Sequence, residues 1–219
     1  MTTDIAQVAA RIGDSLGPGS VNLPPWLWRP LLHLLALGEP VTVEDLAQAT
    51  LRTVDEVRQA LAGLPDTEYD EQGRIIGHGI TLRPTPHRFG VDGRQLFTWC
   101  ALDTLIFPAV LGQPARVQSP CHSTGVPVHV TVEPEQVTSV DPATAVVSIV
   151  TPDTCSSIRA AFCNQVHFFA SPAAAQPWVD RHSTAVILPV AEAFALGGPL
   201  TQTLLTDTAH PADSEGGCC

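Results

Sequence analysis

Between Leu96 and Pro108 the chain is apolar except for one thiol and one carboxylate, and no other stretch limits the fold so tightly. A run containing Leu102, Leu105, Ile106 and Phe107 must be buried, and it carries Cys100 and Asp103 inward with it. On a helix these two residues stand three apart and project from one face. A carboxylate withdrawn from water loses several kcal/mol unless it is paired, metal-bound or protonated. A free buried cysteine alone commonly fills space. The carboxylate beside it does not, and the two together mark a site.

A second apolar stretch, Phe162-Cys163-Asn164-Gln165-Val166-His167-Phe168-Phe169-Ala170, again holds a single thiol. Together with Trp99-Cys100-Ala101-Leu102-Asp103-Thr104-Leu105-Ile106-Phe107-Pro108 it resembles the organomercurial (alkylmercury) lyase family. The resemblance runs from about Leu31 to about Leu205, through Glu68-Tyr69-Asp70, Gly79-Ile80-Thr81-Leu82-Arg83 and Glu192-Ala193-Phe194. It implies an enzyme of mercury detoxification that splits carbon–mercury bonds by protonolysis into a hydrocarbon and Hg(II). By the same resemblance Cys100 and Cys163 are the mercury-binding pair and Asp103 is the proton shuttle. No organic cofactor is implied; mercury is substrate and product, held until a low-molecular-weight thiol removes it. Cys121 is implied to be structural. Some family members have a second cysteine after the position of Cys163; Asn164 stands there, which affects an auxiliary ligand only.

The residues themselves permit this chemistry. Soft metals prefer sulfur, and the thiolate is the ligand form. Composition does not separate mercury from zinc or copper(I). Protonolysis needs a metal held, electron density pushed onto it, and a proton delivered to carbon. Two thiolates can do the first two. A carboxyl in an apolar pocket has its pKa raised, so Asp103 can take a proton from a thiol and later give it up as a general acid. Trp99, Leu102, Phe162 and Phe168 would wall such a pocket, although for each of them ordinary core packing is the competing reading. Cys163 and His167 have the spacing of half a zinc site, but no second close pair completes one, which leaves His167 a core histidine. The alternative function is a non-catalytic protein holding copper(I) or zinc, and Asp103 argues against it because a soft-metal carrier needs no buried hard carboxylate.

Charge excludes another class. All 11 basic residues are arginine against 22 acidic ones, and a net charge of −11 opposes phosphate-backbone binding. No apolar run is long enough to span a bilayer, and Met1-Thr2-Thr3-Asp4-Ile5 does not look like a leader, so a cytoplasmic protein without nucleic-acid or membrane partners is expected. In that compartment the six cysteines are thiols.

The expected fold class is α+β: a winged-helix-like N-terminal domain over 1–82, its first 22 residues a mobile arm, then a mixed domain over 83–208 with mainly antiparallel strands. Helices are expected over Trp26 to Leu37, closed by Gly38, then from Thr42 to about Ala49 and from Thr53 to about Leu61, the last two opened by Thr caps. A hairpin follows at Asp70-Glu71-Gln72-Gly73. Beyond Pro84 and Pro86 come a strand at His87–Val91, a helix over the key segment ending near Pro108, and strands near 115–118, 126–132, 137–140 and 145–150. Asp153 to Cys163 reads as a helix, with Cys155 near its start. A strand at Val166–Ala170, a helix at Ala173–His182, a strand at Val186–Pro189 and a helix at Ala191–Leu205 interrupted at Gly197-Gly198-Pro199 complete the order. Residues 209–219 read as a flexible tail ending in Cys218-Cys219, which resembles the terminal vicinal pair of mercuric reductase. A tail of about ten residues would reach roughly 17–19 Å by random-coil scaling. Those thiols are candidates for mercury transfer, with mercuric reductase as an acceptor of Hg(II).

Overall fold

A computed structural model describes residues 24–151 and 157–205, with side chains through residue 199. The expected N-terminal arm, Cys155 and the tail with Cys218 and Cys219 lie outside these residues.

Three helices lead: α1 (Pro25–Leu35), α2 (Val43–Thr50) and α3 (Val54–Ala62). α1 buries Leu27, Trp28, Leu31, Leu32 and Leu35 along one stripe. α2 and α3 each open with a complete capping box, Thr42 with Asp45 and Thr53 with Glu56, so that orphan N–H groups at the N-terminus of each helix are satisfied. Two of the bases on this unit are paired with carboxylates: Arg58 lies 3.6 Å from Glu44 and 3.4 Å from Asp55, and Arg52 lies 3.3 Å from Glu56.

The chain then forms β1 (Glu68–Tyr69), β2 (Ile75–His78), β3 (Ile80–Thr81), β4 (His87–Val91), β5 (Arg94–Thr98), β6 (Ala115–Pro120), β7 (Pro127–Glu133) and β8 (Gln136–Asp141). These strands make one antiparallel sheet in the order β1-β2-β3-β5-β4-β6-β7-β8. The link across residues 82 and 83 is β3 on β5, with Ile80 opposite Thr98, so hydrogen bonding is continuous there. Along β6 and β7 burial alternates, giving one face to the core and one to water. A second sheet, ordered β10-β9-β11, joins β9 (Val146–Ile149), β10 (Phe168–Phe169) and β11 (Val186–Pro189). The remaining helices are α4 (Ala101–Leu111), α5 (Ile158–Ala161), α6 (Pro172–Val179) and α7 (Val190–Leu205), with a 3-10 turn at Cys163–Gln165. This is the α+β arrangement expected, a helical unit followed by antiparallel sheet and helices. No described helix is long and apolar enough to cross a membrane.

α4 is the central element. It is apolar on every side, and it packs against α1, α7 and strands β4 to β7. Three of the boundaries that differ from expectation bear on the site and its packing. Leu96, Phe97 and Thr98 are not helical: the Asp92-Gly93 turn sends 94–98 back along β4, with Leu96 opposite Phe89. The helix therefore starts only after Cys100 and runs through Pro108 to Gly112, whose positive φ of 65° ends it. The helix expected up to Cys163 stops at Phe162, whose φ of −120° and ψ of −65° turn the chain into the 3-10 segment. Lastly, α7 is unbroken at Gly197-Gly198-Pro199. A Cβ on Gly197 would stand 2.2 Å from Ile106 Cγ2, so this glycine lets α7 close onto α4 rather than interrupting it.

Candidate active site

Cys100 is the N-cap of α4. Its backbone is extended, with φ −143° and ψ 171°, and its Sγ accepts a hydrogen bond from the Asp103 N–H at 3.4 Å. In return the Cys100 N–H donates to Asp103 Oδ2 at 3.2 Å. This is a capping box with sulfur in the place of a hydroxyl. Thr98 Oγ1 donates to the Cys100 carbonyl at 3.0 Å, and the Trp99 N–H donates to Gly79 O at 3.0 Å, which fixes the approach of the chain to the helix. Gly79 holds φ at +85°, and a Cβ there would meet Phe107 Cζ at 2.7 Å.

Cys163 arrives from the other segment. Its 3-10 turn is followed by Val166, fully buried, whose carbonyl accepts the Ala101 N–H at 3.1 Å. One backbone bond thus joins the first turn of α4 to the residues following Cys163. Sγ of Cys100, Sγ of Cys163 and a carboxylate oxygen of Asp103 all lie within 4.8 Å of one another, and among the described residues no other group of three His, Cys, Asp or Glu side chains could hold a metal ion. Both thiols are free; Cys100 is fully buried and Cys163 is 5% exposed. Trp99, Leu102, Phe162 and Phe168 are all buried, while Asn164 is exposed beside the buried Cys163.

Burial sets the protonation of the site. Desolvation pushes the Asp103 carboxyl up to about 7, against the hydrogen bonds from Cys100 and Trp99 and the attraction of Arg159, which pull it down. Desolvation also drives the Cys100 thiol well above its ordinary value, helped by its hydrogen bond to Cys163 and the Asp103 charge. At Cys163 the hydrogen bond from Cys100 favours thiolate, but desolvation and the charges of Asp103 and Asp66 outweigh it and the thiol is raised. A resting site of this kind holds protonated thiols beside a carboxyl that is divided between its two forms near neutral pH. It can release thiol protons when a metal arrives.

The other singled-out residues stand apart from this cluster. Cys121 is buried in a turn closed by its own N–H to Val126 O at 2.7 Å and the Gly125 N–H to its carbonyl at 2.8 Å. The His167 ring stacks on His122, with centroids 3.9 Å apart, and burial lowers its pKa to about 4. Arg159, Asp66 and Glu68, which approach the site through hydrogen bonds and a ring contact, carried no local signal in the sequence, because their partners are 91 and 93 residues away.

Two thiols with a protonatable carboxyl, mounted on an α+β fold behind a helix-turn-helix unit, form a donor set that suits a soft metal, with a group able to move a proton beside it. Residues 80–202 match the alkylmercury lyase family, and residues 7–79 match the helix-turn-helix domain of alkylmercury lyase. Similar relatives include the alkylmercury lyase of Streptomyces lividans, 63% identical over 220 residues and all of both chains. Another is that of Staphylococcus epidermidis (strain ATCC 12228 / FDA PCI 1200), 51% identical over 99% of this chain and 98% of its own. A third, from Pseudomonas putida, is 49% identical over 90% and 94%. The fold is that of the crystal structure of the mercury-bound form of MerB2, with a TM-score of 0.72 over 93% of this chain and 100% of that one, at 24% identity. The chain belongs to the alkylmercury lyase family, enzymes that cleave the carbon–mercury bond in mercury resistance.

Proposed function

We propose that Cys100 and Cys163 hold the mercury of an organomercurial substrate while Asp103 carries the proton to its carbon. The observation that supports this reading is the convergence of two sulfurs and one carboxylate oxygen within 4.8 Å. A substrate R–Hg–X enters with X a displaceable thiolate. One cysteine binds mercury as X leaves with that cysteine's proton. The second thiol passes its proton to the Asp103 carboxylate and its sulfur also joins mercury. Two sulfurs push electron density onto the metal, the carbon–mercury electron pair takes the proton from Asp103, and R–H departs, leaving Hg(II) on two thiolates. Protons and charge balance over R–Hg–X and two thiols going to R–H, H–X and a dithiolate of Hg(II). Low-molecular-weight thiols then remove the product. A cytoplasmic setting, where such thiols abound, suits the scheme. Incubating the purified protein with an arylmercurial and excess thiol should release the arene; mercury bound without arene would leave only the carrier reading.

The helix-turn-helix unit reads as packing rather than nucleic-acid recognition, since Arg52 and Arg58 are each committed to carboxylates. Cys218 and Cys219 extend the scheme. A thiol pair tethered to the same chain acts at an effective concentration on the order of millimolar and could lift Hg(II) from the two site thiols, or pass it to mercuric reductase. Truncation after Glu215 should slow turnover when external thiol is scarce and leave it unchanged when thiol is abundant. Equal rates for both proteins at both thiol levels would remove the pair from the scheme.

A further inference from the structure

The segment that presents Cys163 is held from the N-terminal unit. α5 has four residues and fully buries none of them; only Ile158 packs against the edge of the core, so polar contacts carry much of its hold. Asp66, between α3 and β1, grips its start: Oδ1 accepts from Ser157 Oγ at 2.6 Å and Oδ2 from the Arg159 N–H at 3.1 Å. The Arg159 side chain then reaches in two directions. Its Nη1 donates to Glu68 Oε1 on β1 in a charge-assisted hydrogen bond, and its Cζ lies 4.9 Å from the ring centroid of Trp99, the residue before Cys100.

Glu68 is a rigid anchor. Its side chain is 7% exposed, Oε2 accepts from Thr81 Oγ1 on β3, and a Cβ on Gly77 would stand 2.0 Å from that oxygen. His78, whose ring lies 5.2 Å from that of Trp99, offers no charge at neutral pH because burial lowers its pKa to about 4. Arg159 is accordingly the cation that answers the two carboxylates, and it is four residues from Cys163.

We propose that Arg159 is a positioning residue for carbon–mercury cleavage: anchored by Asp66 and Glu68 and laid on Trp99, it sets the spacing between the Cys163 and Cys100 sulfurs. The inference rests on the reading of those two thiols as the mercury pair. An arylmercury cation needs only one thiolate to bind, whereas bond cleavage and retention of Hg(II) need both. Loosening the Cys163 segment should therefore spare capture and impair the later steps. Groups that orient metal ligands from outside typically change affinity or activity by about 10–100-fold when removed.

The test uses the full chain with phenylmercury and excess thiol, reading benzene release, and in parallel reads Hg(II) retention against competing thiol by the mercury–thiolate charge-transfer absorption. Arg159→Met should lower kcat by roughly 10–100-fold with KM little changed, and should give up Hg(II) at lower thiol concentration. Arg159→Lys keeps a cation for the single Nη1 contact and for the Trp99 ring, so it should recover most of both. Wild-type kcat and Hg(II) retention in Arg159→Met, whatever its melting temperature, would overturn the proposal, as would a lysine variant no better than the methionine one. If Arg159→Met does not fold, Glu68→Gln removes the anchoring charge at nearly constant shape; lowered kcat and retention support the assignment and unchanged values overturn it. Cys163→Ser is the control. Activity in that variant would defeat the two-thiol reading itself, whereas its inactivity beside a fully active Arg159→Met would defeat the positioning role alone.

Discussion

Replacing either Cys100 or Cys163 by serine is expected to remove arene release, by on the order of 10³-fold or more, as happens when one member of a catalytic unit is lost. A hydroxyl is a hard, very weakly acidic donor, and it cannot supply the thiolate that binds mercury and drives density toward carbon. The two sulfurs act together on one ion, so the double variant should be no slower than the slower single one. Arene release under excess thiol checks this. Single effects that multiply in the double variant would mean that the thiols act independently, against the shared site drawn from their proximity. The substitutions are nearly isosteric, and the fold should survive both of them.

Asp103→Asn is expected to separate binding from cleavage. The amide oxygen can still accept the Cys100 N–H now taken by Oδ2, so the first turn of α4 should persist. An amide cannot receive a proton from a thiol and return it to carbon. General acid–base groups typically contribute about 10²–10⁴-fold, and release of the organic group should fall within that range while mercury remains bound. Quantifying protein-bound mercury and released arene in the same sample distinguishes the steps. Parallel loss of binding and release would show Asp103 to be needed for capture, and would end its role as shuttle.

What could be read from the sequence was whatever neighbouring residues decide. Thr42 with Asp45 and Thr53 with Glu56 announce their helices because a cap and its partner lie within one turn. The strands from β6 to β9 declare themselves by β-branched runs between turn residues. At Cys100 the same local logic was disguised: sulfur is not an expected cap, and the apolar residues before it read as more helix until the hairpin at Asp92-Gly93 claims them for β5. Gly197 looks like a helix breaker in sequence, but its reason is Ile106, which reaches it only through the packing of α7 on α4. The closeness of Cys100 and Cys163 was legible through family resemblance, since no spacing argument brings residues from separate segments together. Arg159 had no signal of either kind; its meaning depends on Asp66 and Glu68, far back in the chain.

The sulfur at the head of α4 has one more consequence. Oxygen side chains are the favoured helix caps, and a thiol is a weak acceptor by comparison. Serine at position 100 would seat the Asp103 N–H better than Cys100 does, so the change expected to silence the enzyme should also improve the helix. On the proposed role of Cys100, heat tolerance and mercury resistance would select opposite residues at one position. A lineage never exposed to mercury, or a laboratory screen that rewards only thermal survival, should drift toward the hydroxyl and yield a sturdier protein with nothing left to do.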